Sequence, residues 1–588
     1  MKKSRIILSA ISLAVILSAS ACASKSDVSA DANVAATEAD GADHAGENDT
    51  SVISGVVGAE TTIDHSKLFS NRDLSGDYDA AKCDSIMLSD AGCTTDSKNV
   101  TIDRSTVTIT GEGDYIISGT LSDGMIIVDV DKTEKVQLVL DGVEITSKTS
   151  AAIYVKKADK VFVTLADGTI NTLKNGGAFE AVDENHIDAV IFSKDDLTLN
   201  GTGTLIIDSP AGHGIVSKNE LVITNGTYQV TAASHGMTGK DSVAVADGSF
   251  DITAGKDAIQ SQNEDDDTLG FVYIADGDYL LNAGSDGINA INEINIAGGT
   301  IVVEKSEEGL EARLINISGG EIDIISSDDG INATDKRSTA ASAEAADHNG
   351  FENMADRNGK NRGGGMGDTQ SGANINISGG VIRINAEGDG VDSNGYFTMS
   401  GGELYVTGPS NGGNGALDYG IDALISGGIV VAAGQSGMAQ NFGPDSTQGT
   451  ILVNTQQQNA AGSEIVLLDS EGNELVAWTM EKSYNSVVIS CPQIKDGGSY
   501  TVKTDGISTE VTMDGLVYGD GFGFGGGRQG GNPHFHNGER PEGMPEQGGF
   551  KNGERPEGMP EPGEFQNGEK PEGMPEPPES MGNGNKDM

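Results

Sequence analysis

The stretch Gly298-Gly299-Thr300-Ile301-Val302-Val303 runs on to Glu308-Gly309-Leu310. The same pattern returns in Gly319-Gly320-Glu321-Ile322-Asp323-Ile324, which leads to Asp329-Gly330-Ile331. Further copies open at Gly379-Gly380, Gly401-Gly402 and Gly427-Gly428, and single-glycine copies at Asn225-Gly226, Asp247-Gly248 and Asp276-Gly277. The second glycines step by 299−277 = 22, 320−299 = 21 and 402−380 = 22 residues, with longer steps of 277−248 = 29, 428−402 = 26 and 380−320 = 60. A period of about 22 holding several short strands is a solenoid signature. Isoleucines alternate with charges, as in Ile322 and Ile324 against Glu321 and Asp323. That alternation is a β period, so the fold predicted is all-β, a right-handed parallel β-helix with one turn per repeat. Glycine belongs at the corners, where the chain bends through φ > 0.

Outward from the repeat, the chain divides by composition. Residues 1–21 hold Lys2, Lys3 and Arg5, an apolar run from Ile6 to Leu17, and Ala19-Ser20-Ala21 before Cys22. The run is too short to span a bilayer and reads as a signal peptide. It resembles a lipoprotein signal with Cys22 as the lipidated residue; a plain signal peptide is the alternative. Either way the protein is expected to be extracellular, and lipidation would anchor it to the membrane at the cell surface. Cys83 and Cys93 are close enough in sequence to pair. Residues 22–99 read as an acidic tether and irregular N-terminal region, expected to be disordered where apolar residues are few. The β-helix is expected over 100–449, with a flexible insert at about 334–372, and final turns or a β cap over 450–515. The tail 516–588 repeats Asn537-Gly538-Glu539-Arg540-Pro541-Glu542-Gly543-Met544-Pro545-Glu546 at Asn552 and Asn567, a Gly/Pro/Glu-rich spacer.

The 588 residues carry 89 Asp plus Glu against 37 Lys plus Arg, a formal charge of −52. That argues against nucleic acid and anionic lipid surfaces as partners. The residue before each corner forms a column in register: His213, His235, Asp257, Asp286, Glu308, Asp329 and Asp389. Five acids in one solvent-facing column, about 5 Å apart from turn to turn, favour a hard cation between turns. Asn289, Asn292, Asn332 and Asp392 add oxygen donors. The metal ligands expected are therefore Asp257, Asp286, Glu308, Asp329, Asp389, Asn289 and Asn332, and the ion is Ca²⁺. The plainer alternative is that Asp-Gly pairs serve only as turns.

The N-terminal half carries a family resemblance. Gly111-Glu112-Gly113-Asp114-Tyr115-Ile116-Ile117-Ser118-Gly119, Val139-Leu140-Asp141-Gly142-Val143 and Asp183-Glu184-Asn185-His186-Ile187-Asp188-Ala189-Val190-Ile191-Phe192-Ser193 resemble the secreted carbohydrate-binding β-helix proteins of cellulose-degrading Firmicutes. Asp286-Gly287-Ile288-Asn289-Ala290 extends the match, which spans roughly 85–515. The resemblance implies a pectate-lyase-like fold, bound Ca²⁺, and binding of cellulose or acidic pectic polymer.

Catalysis is the competing class. A Ca²⁺-dependent polysaccharide lyase needs a base beside the metal. Lys240, Lys256, Lys305, Arg313 and Arg383 form no such constellation in sequence, so no catalytic residue is assigned. A protein-binding adhesin or structural surface spike is the third reading. The function expected is calcium-assisted, non-catalytic binding of polysaccharide, at residues that the sequence does not single out.

Overall fold

The computed structural model describes residues 63–337 and 369–519. Cys22, the tether to residue 62, the insert over 338–368 and the tail from 520 lie outside them. The regular secondary structure of the described residues is almost all strand, and the strands pair mainly in parallel. Each strand bonds to the strand about one repeat further on, so the pairings sort into three ladders.

The first ladder runs from Ile153–Lys157 through Ala189–Ser193, His213–Ser217, Met237–Gly239 and Ile259–Ser261 to Leu417–Tyr419. The second runs from Lys160–Leu165 through Asp196–Gly201 and Phe271–Ile274 to Asp422–Ile425. The third runs from Ile170–Asn175 through Asp278–Ala283 to Ile429–Gly434. Register follows the glycine spacing. Ile288 pairs with Leu310 (310−288 = 22) and Leu310 with Ile331 (331−310 = 21). Ile331 pairs with Val391 across the long insert.

Strand alternation sends one residue type inward. Ile259, Ile288, Leu310, Ile331 and Val391 form one buried column. Tyr228, Phe250 and Tyr279 stack in another, with centroids 5.2 and 4.6 Å apart. That spacing is the inter-strand distance of a sheet, so each ring lies on the ring of the next turn. A single turn has no core of its own; the core exists only in the stack.

The glycines do two different jobs. Gly299 and Gly320 sit at φ 91° and 93°, the left-handed region that suits glycine. Gly309, in the Glu-Gly-Leu step, shows no positive φ, but a Cβ there would lie 2.3 Å from the Gly330 carbonyl oxygen. Its absence of side chain is needed for close approach between turns.

Order begins before residue 100. Asp84–Leu88 pairs in parallel with the strand Gly113–Leu121. Ahead of it, the short helix Asn71–Ser75 is capped by Ser70 and Asp73 in a reciprocal box. Asp73 is buried on the second ladder, paired with Lys160 at 2.8 Å and accepting from Thr198 at 2.6 Å. A Cys83–Cys93 pairing, which the sequence spacing allows, is excluded by register. Ile86 faces Thr95 and Met87 faces Thr94, which puts Cys93 across from Leu88. Cys83 lies five extended residues away, about 16 Å, beyond the reach of about 7 Å between disulfide Cα atoms. Both thiols are free.

At the other end the parallel pattern stops. Tyr484–Ser490 runs antiparallel to both Ile429–Gly434 and Thr450–Asn459. A four-stranded antiparallel sheet of Glu464–Leu468, Glu474–Thr479, Ser499–Thr504 and Ile507–Thr512 follows. Trp478, on this sheet, stacks on Tyr405 of the third ladder at 4.2 Å.

Candidate metal centre

The unit Asp286-Gly287-Ile288-Asn289 explains how the site is built. Its apolar third residue points into the core, so its fourth residue points out. The first residue, at the corner, folds over the same outer face. Two outward columns therefore run side by side. One holds Asp257, Asp286, Glu308, Asp329 and Asp389. The other holds Gln260, Asn289, Glu311, Asn332, Asp392 and Asp418, aligned by strand register.

The columns close into two clusters. Carboxylate oxygens of Asp286, Glu308 and Glu311 lie within 4.8 Å of one another, and so do those of Asp329, Asp389 and Asp392. Asn289 Nδ2 donates to Asp286 Oδ2 at 2.5 Å and to Glu311 Oε2 at 2.6 Å. Asn332 Nδ2 donates to Glu308 Oε1 at 3.2 Å. In the second cluster, the Asp389 N–H donates to Asp329 Oδ1 at 2.6 Å and the Gly415 N–H to Asp389 Oδ1 at 2.5 Å. Some acceptors stay unanswered: Glu308 Oε2 and Asn332 Oδ1 are buried without a hydrogen-bond partner.

The acids are not the solvent-facing column expected. Asp257 and Asp286 are 4% and 7% exposed, Glu311 is 5% exposed, and Glu308, Asp329 and Asp389 are half-buried. The corner side chains lie back against the amides and carboxylates of the neighbouring column instead of projecting into water. Burial is the main reason their pKa values rise. Asp286 is pushed up to about 8, first by burial and then by the charges of Glu311 and Asp257. Glu308 goes to about 9 by burial, then by Glu311 and Asp286. Burial raises Asp329 to about 7, and raises Asp389 to about 8 against the opposing Gly415 N–H. Asp392 is raised well above the carboxylate range, by burial and then by Asp329 and Asp389. Carboxylates this close and this dry ionise together only with a proton or a cation among them.

Asp257 stands apart from both clusters. It accepts from Gln260 at 2.8 Å and pairs with His235 at 3.1 Å. His213 stacks on His235 at 5.0 Å, and burial lowers the His213 pKa to about 4. Asn292 serves elsewhere, accepting from Arg313 at 3.0 and 2.7 Å. Two residues escaped the sequence reading. Glu311 is three residues after Glu308, the offset that also gives Asn289, Asn332 and Asp392, so a second in-register column was there to be found. Lys336 bonds Glu311 through its ammonium, and nothing in the repeat marks it.

Three of the five basic residues weighed as lyase bases are engaged away from the two clusters. Lys240 pairs with Asp265 at 2.6 Å, and Arg383 with Glu321 and Asp323 at 2.8 and 3.1 Å on the third ladder. Arg313 donates to Asn292 and to the Gly372 carbonyl. Lys336 touches the first cluster, but it is a poor base. Burial opposes its charge, yet Glu311, Asp286 and Glu308 hold its pKa above the ordinary lysine value.

A family described as carbohydrate-binding domain-containing protein matches residues 103–341 and 304–415. A protein of that description from Acetivibrio thermocellus is 44% identical over 128 residues, 21% of this chain. The chain spans 45% of that relative's length. A solved structure described as the polysaccharide lyase-like protein from C. thermocellum, gadolinium derivative, is 28% identical and covers 52% of this chain and 92% of its own, with a TM-score of 0.34. The family match runs without a break from residue 103 to residue 415, more than half of the 588 residues, and the chain belongs to the carbohydrate-binding domain-containing protein family.

Proposed function

We propose that this chain binds an extended polysaccharide through Ca²⁺ held on the first ladder, without cleaving it. The observation that carries the reading is the pair of carboxylate clusters in which Glu308 Oε2 and Asn332 Oδ1 are buried and unanswered. Family membership supports a saccharide partner. The donor set is carboxylate and amide oxygen, from corner residues and from the strands beside them, and hard oxygen donors of this kind suit Ca²⁺ better than softer ions. Asp286, Glu308 and Glu311 would hold one ion, and Asp329, Asp389 and Asp392 another. The amides of Asn289 and Asn332 would turn their oxygens toward the metal. Bound Ca²⁺ supplies the positive charge through which an acidic chain approaches a protein of charge −52. The ladders wind as a right-handed coil, the hand favoured for parallel crossovers. Cys22 carries the lipid that holds the protein at the cell surface.

The test is polygalacturonate mixed with the full chain. Co-sedimentation in Ca²⁺, lost in chelator and without growth of absorbance near 235 nm (a general wavelength for unsaturated uronates), is the expected result. Sustained absorbance growth would make the protein a lyase. Binding that survives chelation would remove the metal from the reading.

A further inference from the structure

The two clusters differ in their charged neighbours. Lys336 reaches Glu311 in the first. Among the described residues, no lysine or arginine forms an ion pair with Asp329, Asp389 or Asp392 in the second. Lys336 follows the first-ladder strand Ile331–Ala333 by three residues, where the backbone leaves the ladder and the side chain turns back over the preceding turn. Its neighbour Arg337 fixes that departure, donating to the Asn263 carbonyl at 2.6 Å and pairing with Asp267 at 3.3 Å. The Lys336 side chain is 49% exposed, whereas the side chain of its partner Glu311 is buried. A half-exposed lysine thus meets a buried carboxylate.

We propose that Lys336 is the specificity-determining residue that selects uronate over neutral sugar at this cluster, an inference that rests on the cation-mediated reading above. A hard cation sits about 2.3–2.6 Å from its oxygens. An ammonium touching Glu311 would lie within about 5 Å of an ion held on the same oxygen. Two positive charges would then share one buried carboxylate. The long, flexible lysine stem lets the ammonium swing to a better partner. A uronate carboxylate is that partner: one oxygen enters the coordination sphere of the cation and the other takes the ammonium in a charge-assisted hydrogen bond. A neutral hexose or a methyl ester offers no second anionic oxygen.

The experiment compares wild type, Lys336→Gln and Lys336→Arg, each as the full chain in saturating Ca²⁺. The probes are polygalacturonate and the same polymer methyl-esterified, with Ca²⁺ binding measured separately by calorimetry. Lys336→Gln should lose about tenfold or more in affinity for polygalacturonate. Its binding of Ca²⁺ should be as tight or tighter, and its binding of the ester unchanged. Lys336→Arg, which keeps the charge, should recover most of the loss. Equal polygalacturonate binding by wild type and Lys336→Gln would overturn this assignment and leave the cation reading standing. A parallel loss on both polymers, or a loss of Ca²⁺, would reduce Lys336 to a structural role. Wild type that fails to bind polygalacturonate in Ca²⁺ would overturn both readings.

Discussion

Asp286 and Glu308 carry raised pKa values because burial and neighbouring charge both disfavour ionisation. The sign of the pH effect follows. The folded, cation-free state keeps protons that the unfolded chain releases near pH 4. The stability that these groups contribute is therefore complete below that pH and is lost as pH rises through about 8 for Asp286 and Asp389 and about 9 for Glu308. Thermal scans in chelator should show the melting temperature dropping by several degrees between pH 5 and pH 9. Added Ca²⁺ should restore it most at the alkaline end, since an ion bound only to the folded state stabilises that state. The variant Asp286→Ala, Glu308→Ala, Asp329→Ala should show a flattened pH profile and little response to Ca²⁺. A triple variant that responds as wild type does would place the metal elsewhere.

At the scale of the element, one repeat is three short strands, one in each ladder, joined by corners, with a glycine that lets the next turn come close. Gly309 shows how tight that approach is, since a Cβ there would also lie 2.4 Å from Ile324 Cγ2. Gly309→Ala should cost about 1–3 kcal/mol through overpacking, read from the shift in urea midpoint. Gly412→Ala, where a Cβ meets nothing within 4 Å, is the control and should shift the midpoint little. The acidic register of these repeats was legible because corner residues recur at the repeat spacing. Glu311 was less legible because its column mixes Gln260, Asn289, Asn332 and Asp392, so no single residue type advertises it. Lys336 could not be read at all. It enters the site from the first residues of an insert, and its contact with Glu311 spans 25 residues of chain.

Over the whole molecule, the stack of ladders makes the core and the two outward columns together. Far-UV circular dichroism of the purified protein should be dominated by sheet, with the helical contribution near the limit of detection. A strongly helical spectrum would contradict both the repeat and the ladders. The sequence by itself determined the β period, the spacing between paired strands and the register of the acids, because glycine corners and alternating isoleucines are local requirements of each strand. Only the tertiary structure decided that those acids are buried and sorted into two clusters, that Lys336 joins one of them, and that Cys83 and Cys93 stand apart. Those outcomes depend on what lies on the next turn or across the next strand, distances that a linear chain leaves open until it is wound.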